Sequence, residues 1–207
     1  MKLIYFGDIL GRSGREGFAR HLPMLTGKLS PDFIIVNGEN AAHGFGITEK
    51  FCKQFFDLGV DVITTGNHAW DQKEIITYID QEPRLLRPLN YPELTPGNGT
   101  GVFEAHNGAK VFVGQIMGRL FMDSLDDPFV AIDNALAEHK LGDAINCAVV
   151  DIHAEATSEK MAVGQYLNGR VSMVVGTHTH IPTADAQILP GGTAYQTDIG
   201  MCGDYDS

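Results

Sequence analysis

Short apolar segments that each end in a polar, glycine-containing motif recur along this chain of 207 residues. Apolar runs of this length, bounded by glycine and turn-forming residues, predict buried strands. The predicted strands are Lys2–Phe6, Phe33–Val36, Val62–Thr65, Cys147–Asp151 and Val171–Val175. A chain with this repeated pattern has to bury several strands side by side, which favours a layered α/β architecture over an all-helical one.

Amphipathic segments follow the first three strands and predict helices. Apolar residues recur at helical spacing through Arg15–Leu29, and we expect Pro23 to bend or split this helix. Thr48 has the position of an N-cap for a second helix. Asp71, with Glu74 three residues later, is typical of a capped third helix.

The second half of the chain adds hairpins to these units. Asn107-Gly108 lies between two β-like runs and is a strong two-residue turn signal. A second hairpin is predicted to pair Ala184–Ile188 with Thr193–Tyr195, and a helix is predicted over Phe129–Lys140. Parallel units combined with hairpins predict a single domain over residues 1–207, with mixed sheets and helices outside them.

Polar side chains are concentrated at the points where the predicted strands end. Because the carboxyl ends of strands form the ligand crevice of α/β sheets, these side chains are expected to meet at one rim. They are Asp8, Glu39, Asn40, Asn67, His68, His153, His178 and His180. Their oxygen and nitrogen donors suit manganese, iron or zinc, and two carboxylates with several imidazoles exceed the needs of one four-coordinate ion. The count therefore favours a centre of two divalent metal ions bridged by one carboxylate.

Composition excludes several other classes of protein. The formal charge of −11 disfavours stable binding of long nucleic acids, which depends on Lys and Arg. No segment approaches the roughly 18 apolar residues of a membrane span. Three widely spaced cysteines without a C-x-x-C pair read as reduced thiols, so we expect a cytoplasmic protein.

Several motifs, in the right order, resemble those of a known superfamily. Three of them resemble the G-D, G-N-H and G-H-x-H signatures of calcineurin-like metallophosphoesterases: Gly7-Asp8, Gly66-Asn67-His68 and Gly176-Thr177-His178-Thr179-His180. Three longer stretches are similar to the bacterial YmdB-like branch: residues 37–44, 151–160 and 197–201. The usual first-motif imidazole is absent, since Asp8 is followed by Ile9-Leu10, and Glu39 stands where most relatives bridge through aspartate; the YmdB-like branch shares both features.

The resemblance implies a four-layer αββα sandwich of two mixed sheets flanked by helices. It also implies a phosphodiesterase that hydrolyses 2′,3′-cyclic nucleotides, with 3′,5′-cyclic ones as further candidate substrates, by in-line attack of metal-bound water. Carried over by position, the ligands of the first metal would be Asp8, Asn40 and His180, those of the second would be Asn67, His153 and His178, and Glu39 would bridge the two. His68 would be the proton donor to the leaving group.

Other residues and properties stay open at this stage. His43 and Arg119 are candidates for contact with substrate, although a surface role fits each as well. Ser158 is a candidate cap for the helix after His153, with a loop that faces the substrate as the alternative. His178 and His180, at i and i+2 of an extended segment, would point to the same side. Family members usually continue for some tens of residues past the point where this sequence stops, which leaves open a domain without its C-terminal segment. Oligomeric state is also open, a homo-oligomer included.

Two rival functions use the same residues. One is a phosphomonoesterase or nuclease, and the other is a metal-binding protein that senses nucleotides with little turnover. The partner expected for the phosphodiesterase is a small nucleotide, and neither a membrane nor stable binding of long nucleic acid is expected.

Overall fold

The computed structural model describes residues 1–206. Twelve strands are present in this range: β1 Leu3–Phe6, β2 Asp8–Ile9, β3 Phe33–Asn37, β4 Val62–Thr64, β5 Leu85–Leu86, β6 Thr100–Glu104, β7 Lys110–Met117, β8 Cys147–His153, β9 Met173–Thr177, β10 Gln187–Ile188, β11 Ala194–Gln196 and β12 Met201–Cys202. The same range contains five helices: α1 Gly11–Leu29, α2 Glu49–Asp57, α3 Ile75–Tyr78, α4 Pro128–Leu136 and α5 Thr157–Tyr166. No helix among these residues is long and apolar enough to cross a membrane.

Two large sheets carry the fold. The first has the order β1-β3-β4-β5 and is parallel throughout. The second has the order β10-β11-β9-β8-β7-β6, and it is mixed because its two outer pairs are antiparallel. Both predicted hairpins are therefore confirmed, while only one of the two sheets is mixed. The short pair β12 and β2 joins residue 201 to Asp8.

The alternation of side chains along β3 shows how the layers form. Ile34 and Val36 pack with α1, α2 and α3 on the outer face of the first sheet. Phe33 and Ile35 point the other way and pack against Val111 and Val149 of the second sheet. The outer face of that sheet is covered by α4 and α5. These contacts confirm the four-layer αββα sandwich, with helices on both outer faces.

Helix boundaries differ from the sequence prediction in three places. Helix α1 begins at Gly11 and continues through Pro23 without splitting, because Phe18 and Leu22 are buried against the first sheet on the preceding turns. Helix α3 is only one turn long, since Asp71 does not cap it and instead contacts His68. Helix α4 ends at Leu136 rather than at residue 140.

Candidate metal centre

The ends of five strands bring the predicted site residues to the seam between the two sheets. Asp8 is in β2, while Glu39 and Asn40 follow β3. Asn67 and His68 follow β4 and complete the contribution of the first sheet. His153 is the last residue of β8, and His178 and His180 follow β9. The parallel register that pairs His153 with Thr177 puts these last side chains at one edge.

One group of side chains converges around His153. Its Nε2 atom lies 3.1 Å from Glu39 Oε1, 3.0 Å from Asn67 Oδ1 and 3.2 Å from His178 Nδ1. Glu39 and His153 are buried, whereas the His178 ring is partly exposed. The ligand atoms of Glu39, His153 and His178 are close enough together to hold one metal ion.

A second group converges around His180. Its Nε2 atom lies 3.2 Å from Asn40 Oδ1 and 3.6 Å from Asp8 Oδ2. Asp8, Glu39 and His180 also place one ligand atom each within reach of a common ion. Glu39 is therefore the residue that both groups share.

Lone pairs outnumber donors at this site. Thr177 Oγ1 donates to Asp151 Oδ1 at 2.7 Å, so it accepts from His153 Nδ1–H at 2.8 Å. In the neutral imidazole the Nε2 lone pair of His153 then faces two oxygen atoms, so a proton or a cation is needed between them. Asp8 Oδ1 is buried and has no hydrogen-bond partner among the described residues. Buried acceptors that face one another without donors are costly, and cations bound between them would remove that cost.

Gly66 allows the two sheets to close over this site. A Cβ atom at residue 66 would collide with Glu39 Oε2 and His153 Nε2. The glycine of the Gly66-Asn67-His68 motif thus gives the carboxylate and the imidazole room to approach each other. The donor set and the space around it both fit divalent cations.

Electrostatic crowding shifts the pKa values of the buried groups. Burial opposes the charged form of His153, but Glu39 and Asp8 outweigh it and raise the pKa of His153 to about 9. Burial and the neighbouring His153 lower the pKa of His178 to about 4. Burial likewise raises the pKa of Asp8 well above its ordinary value. Without bound cations, the carboxylates of Glu39 and Asp8 thus favour the protonated form of His153.

His68 lies beside the two groups rather than within them. Its Nδ1 atom is 2.7 Å from Asp71 Oδ2, and its backbone N–H donates to Glu39 Oε2 at 3.3 Å. The imidazole is about one-quarter exposed and packs at right angles to the ring of Phe45. Among the described residues, Asp71 is the hydrogen-bond partner of Nδ1, and none forms a hydrogen bond with Nε2.

His43 and Arg119 stay outside both groups. His43 has a positive φ of 58° and an exposed side chain in the loop after Asn40. Arg119 Nη2 lies 3.9 Å from Asp127 Oδ2, and its backbone N–H donates to Glu159 Oε1. The structure gives neither side chain a contact with the ligand groups, so their roles remain predictions.

Two sequence expectations about this region were wrong. His178 and His180 do not lie in an extended segment, because their φ angles are +98° and +67° and the strand ends at Thr177. As a result their rings enter different ligand groups. Ser158 does not cap α5, which begins after Ala156 without a side-chain cap.

One residue that supports the site, Asp151, was not predicted from the sequence. Asp151 is buried and accepts hydrogen bonds from Tyr5, Thr64, Gln115 and Thr177. Through Thr177 it orients His153. The signal for it was the period of two on β8, which puts residues 151 and 153 on the same side.

Comparisons with known proteins agree with this arrangement. The model of the YmdB-like protein family matches residues 4–207. A 2′,3′-cyclic-nucleotide 2′-phosphodiesterase of Bacillus subtilis is 50% identical over 206 residues, covering 100% of this chain and 77% of its own. A crystal structure of a hypothetical protein from Thermus thermophilus matches with a TM-score of 0.93 and 46% identity, covering 100% of this chain and 79% of its own. A crystal structure of a phosphatase from Mycoplasma pneumoniae matches with a TM-score of 0.89 and 36% identity, covering 97% of this chain and 72% of its own.

Proposed function

Because the chain belongs to the YmdB-like protein family, we propose that it is a metal-dependent phosphoric diester hydrolase that acts on 2′,3′-cyclic nucleotides. The observation that carries the proposal is the pair of ligand groups that share Glu39. The name and the 50% identity of the Bacillus subtilis relative support the substrate class. We extend the proposal to 3′,5′-cyclic nucleotides as slower substrates.

The residues would divide between two metal ions. Asp8, Asn40 and His180 would hold one ion, Asn67, His153 and His178 would hold the other, and Glu39 would contact both. Iron and manganese are the proposed metals, with zinc as the third choice, since all three accept this set of oxygen and imidazole ligands. Such ions supply an activated water and neutralise charge on the phosphoryl oxygens.

The chain's own contribution to the reaction is the proton for the leaving oxygen. In its protonated form, His68 would donate Nδ1–H to Asp71 and present Nε2–H to a ribose oxygen. Protonation of that oxygen as its bond to phosphorus breaks would prevent the build-up of an alkoxide. The backbone N–H of His68 donates to Glu39 Oε2, so His68 lies next to the ligand groups. A phosphate held by the metal ions would therefore be within reach of its imidazole.

A phosphomonoesterase is the second candidate, because relatives from Mycoplasma are named as phosphatases or phosphodiesterases. Three free cysteines, two of them buried, fit a reducing compartment, and we propose the cytoplasm.

Two measurements on the same sample test the proposed function. Elemental analysis of anaerobically purified protein should give two metal ions per chain. Hydrolysis of 2′,3′-cyclic AMP should then exceed that of 3′,5′-cyclic AMP, a phosphomonoester and single-stranded RNA with the same metal. Faster release of phosphate from the monoester would support the second candidate instead. Tight binding of a nucleotide without product over hours would indicate a sensor.

A further inference from the structure

Two of the stretches that resemble the YmdB-like branch meet in a buried ion pair outside the ligand groups. Lys160 Nζ lies 2.6 Å from Asp198 Oδ2. The Lys160 side chain is 0% exposed and that of Asp198 is 1% exposed. A fully buried lysine is rare in proteins unless it is paired, and here the pair connects α5 to the segment before β12. None of the roles proposed above uses either residue.

Asp198 accepts hydrogen bonds from the middle residue of the histidine turn, which we define as His178–Thr179–His180. Its Oδ2 atom accepts a hydrogen bond from Thr179 Oγ1 at 2.6 Å and another from the Thr179 backbone N–H at 3.3 Å. Its Oδ1 atom accepts from the Gly200 backbone N–H at 2.7 Å. The carboxylate is thus fully occupied, and its charge is balanced by Lys160.

The histidine turn needs such support because its backbone is strained. His178 and His180 both have positive φ angles, which side chains other than glycine seldom adopt. Conformations of this kind persist only where surrounding contacts fix them. Thr179 lies between the two strained residues, so its bonds to Asp198 act on both.

The fit beneath the turn is tight. A Cβ atom at Gly176 would collide with the carbonyl oxygen of Thr197 and with Lys160 Cδ. Ile199 N–H donates to the Gly176 carbonyl at 2.9 Å, which ties the strand before the turn to the segment that carries Asp198. The lysine stem therefore packs directly under the turn as well as pairing with Asp198.

We propose that Lys160 and Asp198 are a positioning pair that holds the histidine turn in the shape that sends His178 and His180 to different metal ions. The proposal rests on the function proposed above, in which each of the two histidines ligates one ion. Since the turn supplies one ligand to each ion, loosening it should weaken both sites together. Loss of a single ligand would instead affect mainly one.

The test compares Mn²⁺ binding with folding in Lys160→Met, which keeps the length of the buried stem but removes its charge. Metal-free protein is titrated with Mn²⁺, and the free ion is counted by electron paramagnetic resonance. We expect both affinities to fall by roughly 10–100-fold, as for other groups that orient metal ligands. The matched control is Arg170→Met, which breaks the exposed Arg170–Asp133 pair and should leave Mn²⁺ binding unchanged.

A second variant keeps the proposal testable if Lys160→Met does not fold. Thr179→Val removes only the hydroxyl that donates to Asp198 and leaves the ion pair in place. It should lower Mn²⁺ affinity by roughly tenfold. Wild-type Mn²⁺ affinity in Thr179→Val, or in a folded Lys160→Met with a lowered Tm, would show that the pair only stabilises the fold. Wild-type protein that binds none of Mn²⁺, Fe²⁺ or Zn²⁺ in stoichiometric amounts would instead overturn the proposed function itself.

Discussion

Glu39 is the residue on which the two ligand groups depend, because its carboxylate belongs to both. Replacing it with glutamine removes the negative charge that faces both groups while keeping the shape of the side chain. We expect Glu39→Gln to lose bound metal and to lower the turnover of 2′,3′-cyclic AMP by roughly a hundredfold or more, since metal ions contribute several kcal/mol to such reactions. Elemental analysis and a hydrolysis assay measure the two effects.

The control for this variant is Glu16→Gln, which changes an exposed glutamate that pairs with Arg12 on helix α1. It should keep both metal and activity. Near-wild-type turnover in metal-replete Glu39→Gln would contradict the role of Glu39 as a shared ligand.

Substitution of His68 should have a different effect from substitution of a metal ligand. His68→Ala is expected to retain its metal and to lower turnover by roughly 10²–10⁴-fold, the usual contribution of one acid catalyst. Asp71→Asn should have a smaller effect, because it alters only the partner of His68 Nδ1. Metal content and kcat are measured for each variant. Loss of metal from His68→Ala would make His68 a ligand.

The strand pattern predicted which side chains lie together at the seam between the sheets but not the contacts that hold them. Residues that follow strands can be located from the strand pattern, because parallel strands end at the same edge. The strained turn at His178 and His180 could not be foreseen, since it depends on Asp198, which is distant in sequence. Asp151 was missed for the same reason, as its four donors come from four different strands that meet only after folding.

Among the secondary-structure elements, strands were predicted better than helix ends. Strand patterns were clear because β3, β4 and β8 are buried on both faces and are therefore continuously apolar. Helix ends depend on single side chains with competing partners. Asp71 shows this competition, since its carboxylate contacts His68 instead of capping α3.

Two candidate caps give a direct test of how the helices begin. Thr48 Oγ1 accepts a hydrogen bond from Phe51 N–H at the start of α2, whereas Ser158 caps nothing. We expect Thr48→Ala to lower the free energy of unfolding by about 1 kcal/mol. Ser158→Ala is the matched control and should change it by less than about 0.5 kcal/mol. Denaturant unfolding measures both, and equal losses in the two variants would contradict the assignment of the caps.

For the molecule as a whole, the site joins segments that are far apart in the chain. The backbone N–H of His178 donates to Asp8 Oδ2 at 3.0 Å, and β12 pairs with β2 at Asp8. The two sheets that form the sandwich thus meet again at the site, where their carboxylates are buried close together. Cations bound there would stabilise the whole fold, because the unfolded chain has no such site.

The metal-free protein should therefore lose stability as the pH rises. The folded protein holds a proton on His153 with a pKa near 9, above the ordinary value of 6.5, because Glu39 and Asp8 outweigh the effect of burial. A raised pKa means that this contribution is complete below pH 6.5 and is lost as the pH passes 9. The raised pKa of Asp8 acts in the same direction, whereas the lowered pKa of His178 acts only below pH 6.5.

We expect the Tm of chelator-treated protein to fall by several degrees between pH 6.5 and 9, since about 1 kcal/mol shifts a chain of this size by roughly 2–4 °C. Protein loaded with Mn²⁺ is the matched comparison. Its ligands bind the ion in place of the proton, and higher pH favours that form, so its Tm should hold steady or rise over the same range. Calorimetry of both forms across this pH range decides the matter. A parallel fall in the two forms would mean that the proton and the ion do not share the Glu39–His153 site.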